Sequence, residues 1–328
     1  MTLVLSLVSC KNGKGDESDT PAQSYVERTE YTVTFASNGG TSVPPITVYK
    51  NAELTPFDAP KRDGYVFVGW THEGREWVFG NGGDNVKSDM TLYANWVKLN
   101  SIFKYEVENG EITLTKLLND EDYQNLTIPE TFEGMPVTGI GDEMFKKFAI
   151  IEDDALYKGL KSITFPKSVT RVGYSAFEDC TNLDINFEGA LTEIGENAFY
   201  GCNTLKSVTL GDTLEKIPFR AFSNCRLESI IIPDSVKVID ENSFELSVNI
   251  QTAVIPIGVR IEDSAFRDCV MLRSIFFRGN AAEFAEVTVN GNNDAFNAAK
   301  VYYYSASEDV ESGKFWNYNS KGTPIIIE

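Results

Sequence analysis

The feature that most constrains this chain is a short sequence unit that returns about every 22 residues. Gaps of 22, 23, 22 and 22 residues separate five anchor phenylalanines: Phe177, Phe199, Phe222, Phe244 and Phe266. A fixed period of this length is typical of a solenoid, in which one unit cannot bury its apolar face alone and stacked neighbours form a continuous core. We therefore expect every anchor Phe to point into one shared interior.

The unit that contains Phe177 predicts two short strands and one turn. Ile163, Thr164 and Phe165 alternate apolar, polar and apolar, which is the period of a strand with one buried face. The stretch from Val169 to Val172 predicts a second extended piece. The letters SAFEDC around Phe177 are too few for an ordinary helix, and they predict a single helical turn that carries the Phe inward.

The clearest consensus is I-x-I-P-x-S-V-x-x-I-x-x-x-A-F-x-x-C, which is nearly intact in IIIPDSVKVIDENSF, where Ser247 replaces the final Cys. It resembles the BspA-like class of leucine-rich repeats, over the stretch from about Phe103 to Glu328. The resemblance implies a mainly β fold with short helical turns, built as a curved leucine-rich-repeat solenoid. It also implies an adhesin or binding protein of the cell surface, although one scaffold hosts many partners.

The segment before the repeats carries a second set of motifs. It contains NGG, then G-Y-x-F-x-G-W from Gly64 to Trp70, and finally L-Y-A-x-W, which ends at Trp96. Together these motifs resemble the Listeria-Bacteroides repeat, also called the internalin B-type repeat. The resemblance implies a small β-grasp-like domain that acts as a spacer or as an accessory binding unit.

The first residues predict a lipid anchor. An apolar run from Leu3 ends at Cys10, and the letters LVSC resemble the lipobox of bacterial lipoproteins, in which the Cys carries lipid. This resemblance implies an outer membrane lipoprotein that faces the extracellular side of the cell surface. The alternative is a clipped secretory signal in which Cys10 is incidental. Residues 11–30 have almost nothing to bury, so a disordered tether is expected.

The chain is therefore expected to divide into five segments. They are a signal peptide remnant at 1–9, a tether at 10–30, the β-grasp-like domain at 31–97, the solenoid N-terminal cap with the first repeat at 98–160, and the remaining repeats with a C-terminal cap at 161–328. Two insertions interrupt the repeat pattern, at 146–158 and 279–294. Insertions in repeats often lie on binding faces, but for the first insertion the favoured interpretation is a longer helix that fills a gap.

Charge and composition narrow the range of partners. The formal net charge is −19 and the sequence pI is about 4.5. An acidic surface repels phosphate backbones and anionic lipids, so nucleic acid is excluded and membrane contact is expected only through the N-terminal lipid.

Cysteine and histidine usage argues against catalysis. Cys180, Cys202, Cys225 and Cys269 occupy one repeat position, where parallel Cβ vectors keep neighbours about 4.8 Å apart, wider than a disulfide prefers. We expect four buried thiols there. The sequence contains no C-x-x-C pair of the kind that binds a metal. The single histidine, His72, has no nucleophile motif nearby. We expect no catalytic residue, no metal, no cofactor and no enzymatic activity.

Three tryptophans of the first domain could serve as core or as ligand contacts. Trp70 and Trp96 lie on alternating strands and are expected in the core. Trp77 lies in the loop HEGREWVFGNGGDN and is expected to be freer, with stacking on a carbohydrate as an alternative role.

The sharpest site prediction is a stripe across the sheet. If Ile163 and Phe165 point inward, Thr164 and its equivalents point outward. In the later repeats those equivalents are apolar, and they predict an exposed ligand-binding stripe: Ile231, Val254, Phe276 and Tyr302. The alternative is that they contact only each other or lie beneath the C-terminal segment, which is also rich in aromatic residues.

The combined expectation is a monomeric cell-surface binding protein or adhesin. Its partner would be a protein or a glycan on a host cell or a neighbouring microbe. The competing expectation is a structural protein that assembles with itself and has no external ligand, and an enzyme is kept as a remote third.

Overall fold

The computed structural model describes residues 29–80, 82–118, 123–146, 160–306, 314–320 and 322–327. Cys10 and the rest of residues 1–28 lie outside these ranges, as do residues 147–158 of the first predicted insertion. The described chain is a mainly β solenoid preceded by a small β domain, as the repeat pattern and the two resemblances predict.

The first domain is one sheet with a long loop folded against it. Strand β3 pairs antiparallel with β5, β5 pairs parallel with β1, and β1 pairs antiparallel with β2, while β4 forms a short hairpin with β3. Alternating side chains such as Val33 and Phe35 point into its core because successive residues of a strand face opposite sides. The strands are β1 (Glu30–Ala36), β2 (Ile46–Tyr49), β3 (Tyr65–His72), β4 (Arg75–Glu76) and β5 (Met90–Lys98).

The N-terminal cap of the solenoid is the predicted hairpin. Its two strands pair antiparallel across a turn at Asn109 and Gly110, both of which have a positive φ, a conformation that Gly adopts without strain. The elements here are α1 (Leu99–Ile102), β6 (Phe103–Glu108), β7 (Glu111–Leu117), β8 (Asn125–Thr127), β9 (Thr131–Phe132) and β10 (Met135–Ile140).

The repeats form two parallel ladders on opposite sides of the core. A wide ladder contains β8, β11, β13, β16, β18, β20 and β22, and a narrow ladder contains β10, β12, β14, β15, β17, β19 and β21. Each ladder is divided into two sheets, the wide one between β13 and β16 and the narrow one between β14 and β15. The elements are β11 (Ser162–Phe165), β12 (Arg171–Val172), β13 (Asp184–Phe187), β14 (Glu193–Ile194), β15 (Lys216–Ile217), β16 (Ser229–Ile231), β17 (Val238–Ile239), β18 (Thr252–Ile255), β19 (Arg260–Ile261), β20 (Ser274–Phe277), α2 (Ala281–Ala285), β21 (Thr288–Val289), α3 (Asp294–Ala298), β22 (Lys300–Tyr304), β23 (Phe315–Tyr318) and β24 (Pro324–Ile326).

The anchor phenylalanines form one stacked column, so the prediction that they share an interior is confirmed. All five are fully buried, and their rings follow one another at centroid distances of 5.4, 5.4, 5.6 and 5.1 Å. Phe145 extends the column at one end and Phe296 extends it at the other. The core is therefore continuous from the N-terminal cap to the last repeat.

The predicted helical turn at each anchor is wrong, because the chain forms tight turns there. Around Phe222 the residues two before and two after, Arg220 and Asn224, have φ of 52° and 54°, and a right-handed helix cannot continue through such residues. The amide of Phe222 donates to the carbonyl of Ser243 in the next repeat at 2.9 Å. The turns thus form a third hydrogen-bonded ladder along the solenoid.

The cysteine position is a polar column within the apolar core. Cys202 and Cys225 each donate to the carbonyl of the anchor Phe in the preceding repeat, at 3.0 Å in both cases. Cys180 and Cys269 make the equivalent contact at 3.1 Å. Burial raises the pKa of the Cys202 and Cys225 thiols and raises that of Cys269 to about 12. The prediction of buried thiols is confirmed. The sequence did not predict that each thiol donates a hydrogen bond to the preceding repeat.

Ser247 reproduces this contact with a hydroxyl group, and it provides a test of the column. Its Oγ donates to Phe222 O at 2.6 Å and accepts from Cys225 N at 3.0 Å. We expect Ser247→Ala to lower the free energy of unfolding by about 1–3 kcal/mol, because both buried partners lose their hydrogen bond. Ser247→Cys, which restores the residue of the other repeats, should recover most of that loss. Urea denaturation of the two variants measures the difference, and equal losses would contradict the role of the hydrogen bond.

The backbone ladder of turns ends on a side chain. The amide of Phe266 donates at 2.8 Å to Oδ1 of Asn293, where earlier repeats use a backbone carbonyl. Asn293 is buried, and its Nδ2 donates to the carbonyls of Glu262 and Asn290, both at 2.9 Å. Within the insertion predicted at 279–294, α2 and β21 carry the chain to this point, and β21 continues the narrow ladder.

Candidate functional site

The predicted exposed stripe is mostly buried, which corrects the sharpest site prediction. Ile231 is 41% exposed, but Val254, Phe276 and Tyr302 are only 2%, 5% and 7% exposed. Trp316 of β23 covers them, with its ring 5.5 Å from that of Phe276. These residues form a small cluster of their own, separate from the solenoid core.

The alternation rule placed these side chains on the correct face of the sheet but could not show that a second layer covers that face. The alternative, that they lie beneath the C-terminal segment, is the one the structure supports. The indole Nε1 of Trp316 donates to Phe277 O at 2.8 Å, which fixes the covering segment in place.

The outward ladder is also interrupted in the middle of the solenoid. Thr164 pairs in register with Asn186, and Ile231 pairs with Val254, as predicted. Between these pairs, however, Leu191 rather than Phe187 pairs with Leu210. The wide ladder is therefore split into two sheets, and the larger uncovered part of its outer face lies at the N-terminal end.

The uncovered part consists of the outward residues of three strands, and we call it the junction face. It contains only side chains that can form hydrogen bonds, and the Oγ of Ser162 lies 2.7 Å from Oδ1 of Asn125 across two strands. The junction face comprises Asn125, Thr127, Ser162, Thr164, Asp184 and Asn186.

The first domain is joined to the solenoid beside this face. Phe67 of β3 pairs with Thr127 of β8, which makes the domain and the wide ladder parts of one eight-stranded sheet. Gly64 N donates to Thr131 O at 2.9 Å. Because backbone hydrogen bonds cross the boundary, the first domain is not a freely hinged spacer.

An ion pair reinforces the junction. Lys61 Nζ lies 2.7 Å from Glu188 Oε2 and 3.5 Å from Glu130 Oε1. The hydrogen bond with Glu188 outweighs burial and raises the pKa of Lys61 above its ordinary value. Lys61 therefore stays charged throughout the neutral range.

A cleft of about 540 Å³ lies between the first domain and the junction face, and we call it the junction cleft. Trp77 is part of its wall but is itself buried, so the prediction that Trp77 is free is wrong. The physical reason is that the chain turns back after β4, where Trp77 N donates to Trp70 O at 2.8 Å and brings the indole into the core. Trp70 is buried and Trp96 is partly buried against the same core, as predicted.

Asp84 holds the Trp77 loop at the rim of the junction cleft. Its carboxylate accepts from Val78 N at 2.8 Å and pairs with Arg75 at 2.8 Å. Burial alone would raise the pKa of Asp84, but these two hydrogen bonds lower it below its ordinary value. The loop is therefore fixed by a charged group at neutral pH.

Groups of the kind used in catalysis or metal binding do not converge in the described part of the chain. His72 Nδ1 lies 3.1 Å from Thr91 O, and its ring meets that of Trp77 edge-on at 6.1 Å. Among the residues described, no three of His, Cys, Asp and Glu are placed to hold a metal ion. The helices in these ranges are four or five residues long, so none of them could cross a bilayer.

These features define a parallel repeat solenoid that carries a small β domain fixed to its N-terminal end. The model of the BspA type leucine rich repeat region matches residues 119–185, 150–204 and 183–295, in six copies. That is more than half of the 328 residues, and the chain belongs to this family. The model of the Listeria-Bacteroides repeat domain matches residues 31–95. Both resemblances drawn from the sequence motifs are confirmed.

Two curated relatives come from Evansella cellulosilytica, and both are provisionally named as membrane proteins, one of them Gly-rich. The first is 38% identical over 73 residues, which are 21% of this chain and 8% of the relative. The second is 33% identical over 100 residues, which are 27% of this chain and 14% of the relative. This chain therefore spans only a small part of the length of either.

Similar solved structures include three leucine-rich repeat proteins. The one from T. pallidum is 22% identical with a TM-score of 0.35, and the match covers 63% of this chain and 85% of the other. The one from Bacteroides ovatus is 20% identical with a TM-score of 0.41, covering 61% and 69%. A leucine rich cell surface protein from Faecalibacterium prausnitzii is 22% identical with a TM-score of 0.30, covering 62% and 75%.

Proposed function

We propose that this chain is a cell-surface binding protein that recognises a protein or glycan of a host cell or neighbouring microbe across the junction face. The observation that carries the proposal is that every side chain of this face can form hydrogen bonds and that its outermost strand, with Asp184 and Asn186, is exposed to solvent outside the cleft. Membership of the BspA-type family supports it. An overall charge of −19 makes a neutral or basic partner the better match.

The geometry of the face suits recognition. Asp184 and Asn186 are both exposed, on a strand whose inward residue Ile185 is anchored in the core. A rigid strand presents its side chains without a large loss of conformational entropy on binding. The proposal also includes presentation at the outer membrane through a lipid on Cys10, for which the provisional names of the two relatives are a supporting indication.

The test uses the protein on an array of extracellular matrix proteins and microbial polysaccharides. We expect at least one component to be retained, and the double variant Asp184→Lys with Asn186→Lys to weaken that binding by about ten-fold or more. The matched control is Glu193→Lys with Asn203→Lys, which makes the same changes of charge at exposed positions outside the face. Equal weakening by both pairs, or no retained component, would contradict the proposal.

Self-assembly remains the second candidate because of one observation at the other end of the chain. Strand β24 forms the edge of its sheet and exposes Ile325 and Ile326. An exposed apolar edge strand can pair with another chain. Sedimentation over a range of concentrations separates the two functions, because self-assembly through this edge predicts concentration-dependent oligomers that Ile325→Lys abolishes.

A further inference from the structure

The junction cleft has two chemically different walls. Its volume of about 540 Å³ lies within the range of sites for small molecules, which often form between domains. One wall belongs to the first domain and is mostly apolar, with the carboxylates of Asp58 and Glu76 among its residues. The facing wall belongs to the first strands of the solenoid and is polar.

The apolar wall is exposed and fixed. Phe57 is 39% exposed and Val78 is 54% exposed, large values for residues of this kind. The Phe57 ring is held edge-on against Phe35 at 4.9 Å and against Phe79 at 5.7 Å. The hydrogen bond from Val78 N to Asp84 holds the other part of the wall. Two exposed apolar side chains are thus held in place before any ligand arrives.

The polar wall presents amide donors in fixed orientations. Lys161 Nζ donates to Gln124 Oε1 at 2.8 Å, and the Ser162 hydroxyl lies 2.7 Å from Asn125 Oδ1. Since each amide oxygen is engaged, Gln124 and Asn125 have their NH₂ groups left for a ligand.

Acceptors are supplied by carboxylates at the cleft. Asp58 and Glu76 line it, and within the described part of the chain neither carboxylate has a hydrogen bond or an ion pair. Ionised carboxylates only accept hydrogen bonds, so these groups call for a ligand with hydroxyl donors. Glu188 also lines the cleft, and only Lys161 carries a positive charge among the lining residues. The resulting negative charge disfavours phosphate, sulfate, uronic acids and sialic acid.

We propose that the junction cleft binds a neutral saccharide, an inference that rests on the proposed function and names its ligand class. A sugar ring has an apolar face of C–H groups that matches the Phe57 wall. Its hydroxyl groups can donate to Asp58 and Glu76 and accept from the amide groups of the facing wall. The ligand belongs either to a free polysaccharide or to a glycan on a glycoprotein, since both present the same rings.

The test is binding of neutral gluco-, manno- and galacto-oligosaccharides, each presented free and linked to a carrier protein. We expect saturable binding of at least one, weakened about ten-fold or more by Phe57→Ala, which removes the apolar contact, and by Glu76→Gln, which removes a carboxylate acceptor. Glu30→Gln and Tyr93→Ala are the matched controls in the same domain, and they should change affinity less than about two-fold. Glu76 is exposed, so Glu76→Gln tests the cleft even if Phe57→Ala loosens the loop.

Preference for the free or the carrier-linked form identifies the source of the ligand, and binding of either supports the inference. The inference is overturned if no neutral oligosaccharide binds or if binding survives both cleft variants. The proposed function is judged separately by the Asp184 and Asn186 double variant, which changes the junction face outside the cleft.

Discussion

Phe222→Ala is expected to lower the free energy of unfolding by about 3–5 kcal/mol, the usual cost of removing a buried Phe. The Phe222 ring is stacked between Phe199 at 5.4 Å and Phe244 at 5.6 Å, so its removal opens a cavity bounded by a ring on each side. The cavity cannot close easily, because the backbone at Phe222 is hydrogen-bonded to Ser243 in the next repeat.

The same substitution should also change the shape of the unfolding curve. In a solenoid each repeat contacts only its neighbours, so a weak central repeat uncouples the two halves. Urea denaturation followed by circular dichroism should show a broadened or two-step transition. Val270→Ala is the control, because Val270 is 71% exposed and should shift stability by no more than about 0.5 kcal/mol. A loss below about 1 kcal/mol for Phe222→Ala would contradict a continuous stacked core.

Trp316→Ala is expected to have the second largest effect, about 3–5 kcal/mol, concentrated at the C-terminal end. Trp316 is fully buried and covers Val254, Phe276 and Tyr302 on the outer face of the sheet. Its removal also leaves the carbonyl of Phe277 without the indole donor.

The uncovered apolar surface should make the Trp316→Ala protein associate. Large exposed apolar patches promote contact between molecules, and sedimentation velocity would detect the resulting oligomers. Val270→Ala again serves as the control, since Val270 is 71% exposed and its truncation uncovers nothing. If the Trp316 variant stays monomeric and as stable as the control, the covering role assigned to this residue is wrong.

The solenoid could be predicted from sequence because its evidence is repeated. Each anchor Phe returns at the same interval, and an error in one unit is corrected by the others. The predicted N-terminal hairpin rested on a local Asn-Gly turn, which is also a short-range signal. In both cases the residues that carry the pattern are within a few tens of residues of the elements that they predict.

Coverage by a second layer could not be predicted in the same way. Alternation shows that Phe276 and Tyr302 point away from the solenoid core, but it contains no information about what lies above them. Trp77 was misjudged for the same reason, because its burial depends on a loop returning to β3. The turns around each anchor were missed because residues such as Arg220 and Leu246, with φ of 52° and 59°, give no local signal for that conformation.

The junction cleft was beyond sequence reasoning altogether. Lys61 and Glu188 meet across 127 residues of chain, and each alone is an ordinary surface charge. Phe57 and Val78 are likewise unremarkable as isolated apolar letters in loops. The pairing of β3 with β8, the Gly64–Thr131 hydrogen bond and the Lys61–Glu188 ion pair together bring the apolar loop opposite the polar strands.

A solenoid built from one repeated unit also needs a structural feature that ends the ladder of turns. Asn293 supplies it, because its side-chain oxygen replaces the backbone carbonyl that accepts from the anchor amide in earlier repeats, and the chain then forms α3 instead of another tight turn. Variation in repeat number should therefore be tolerated upstream of Phe266, where the amide of each anchor Phe from Phe177 to Phe244 donates to a backbone carbonyl of the next repeat. Any variant with more or fewer repeats would need to keep the Asn293 contact with the anchor Phe of its last repeat.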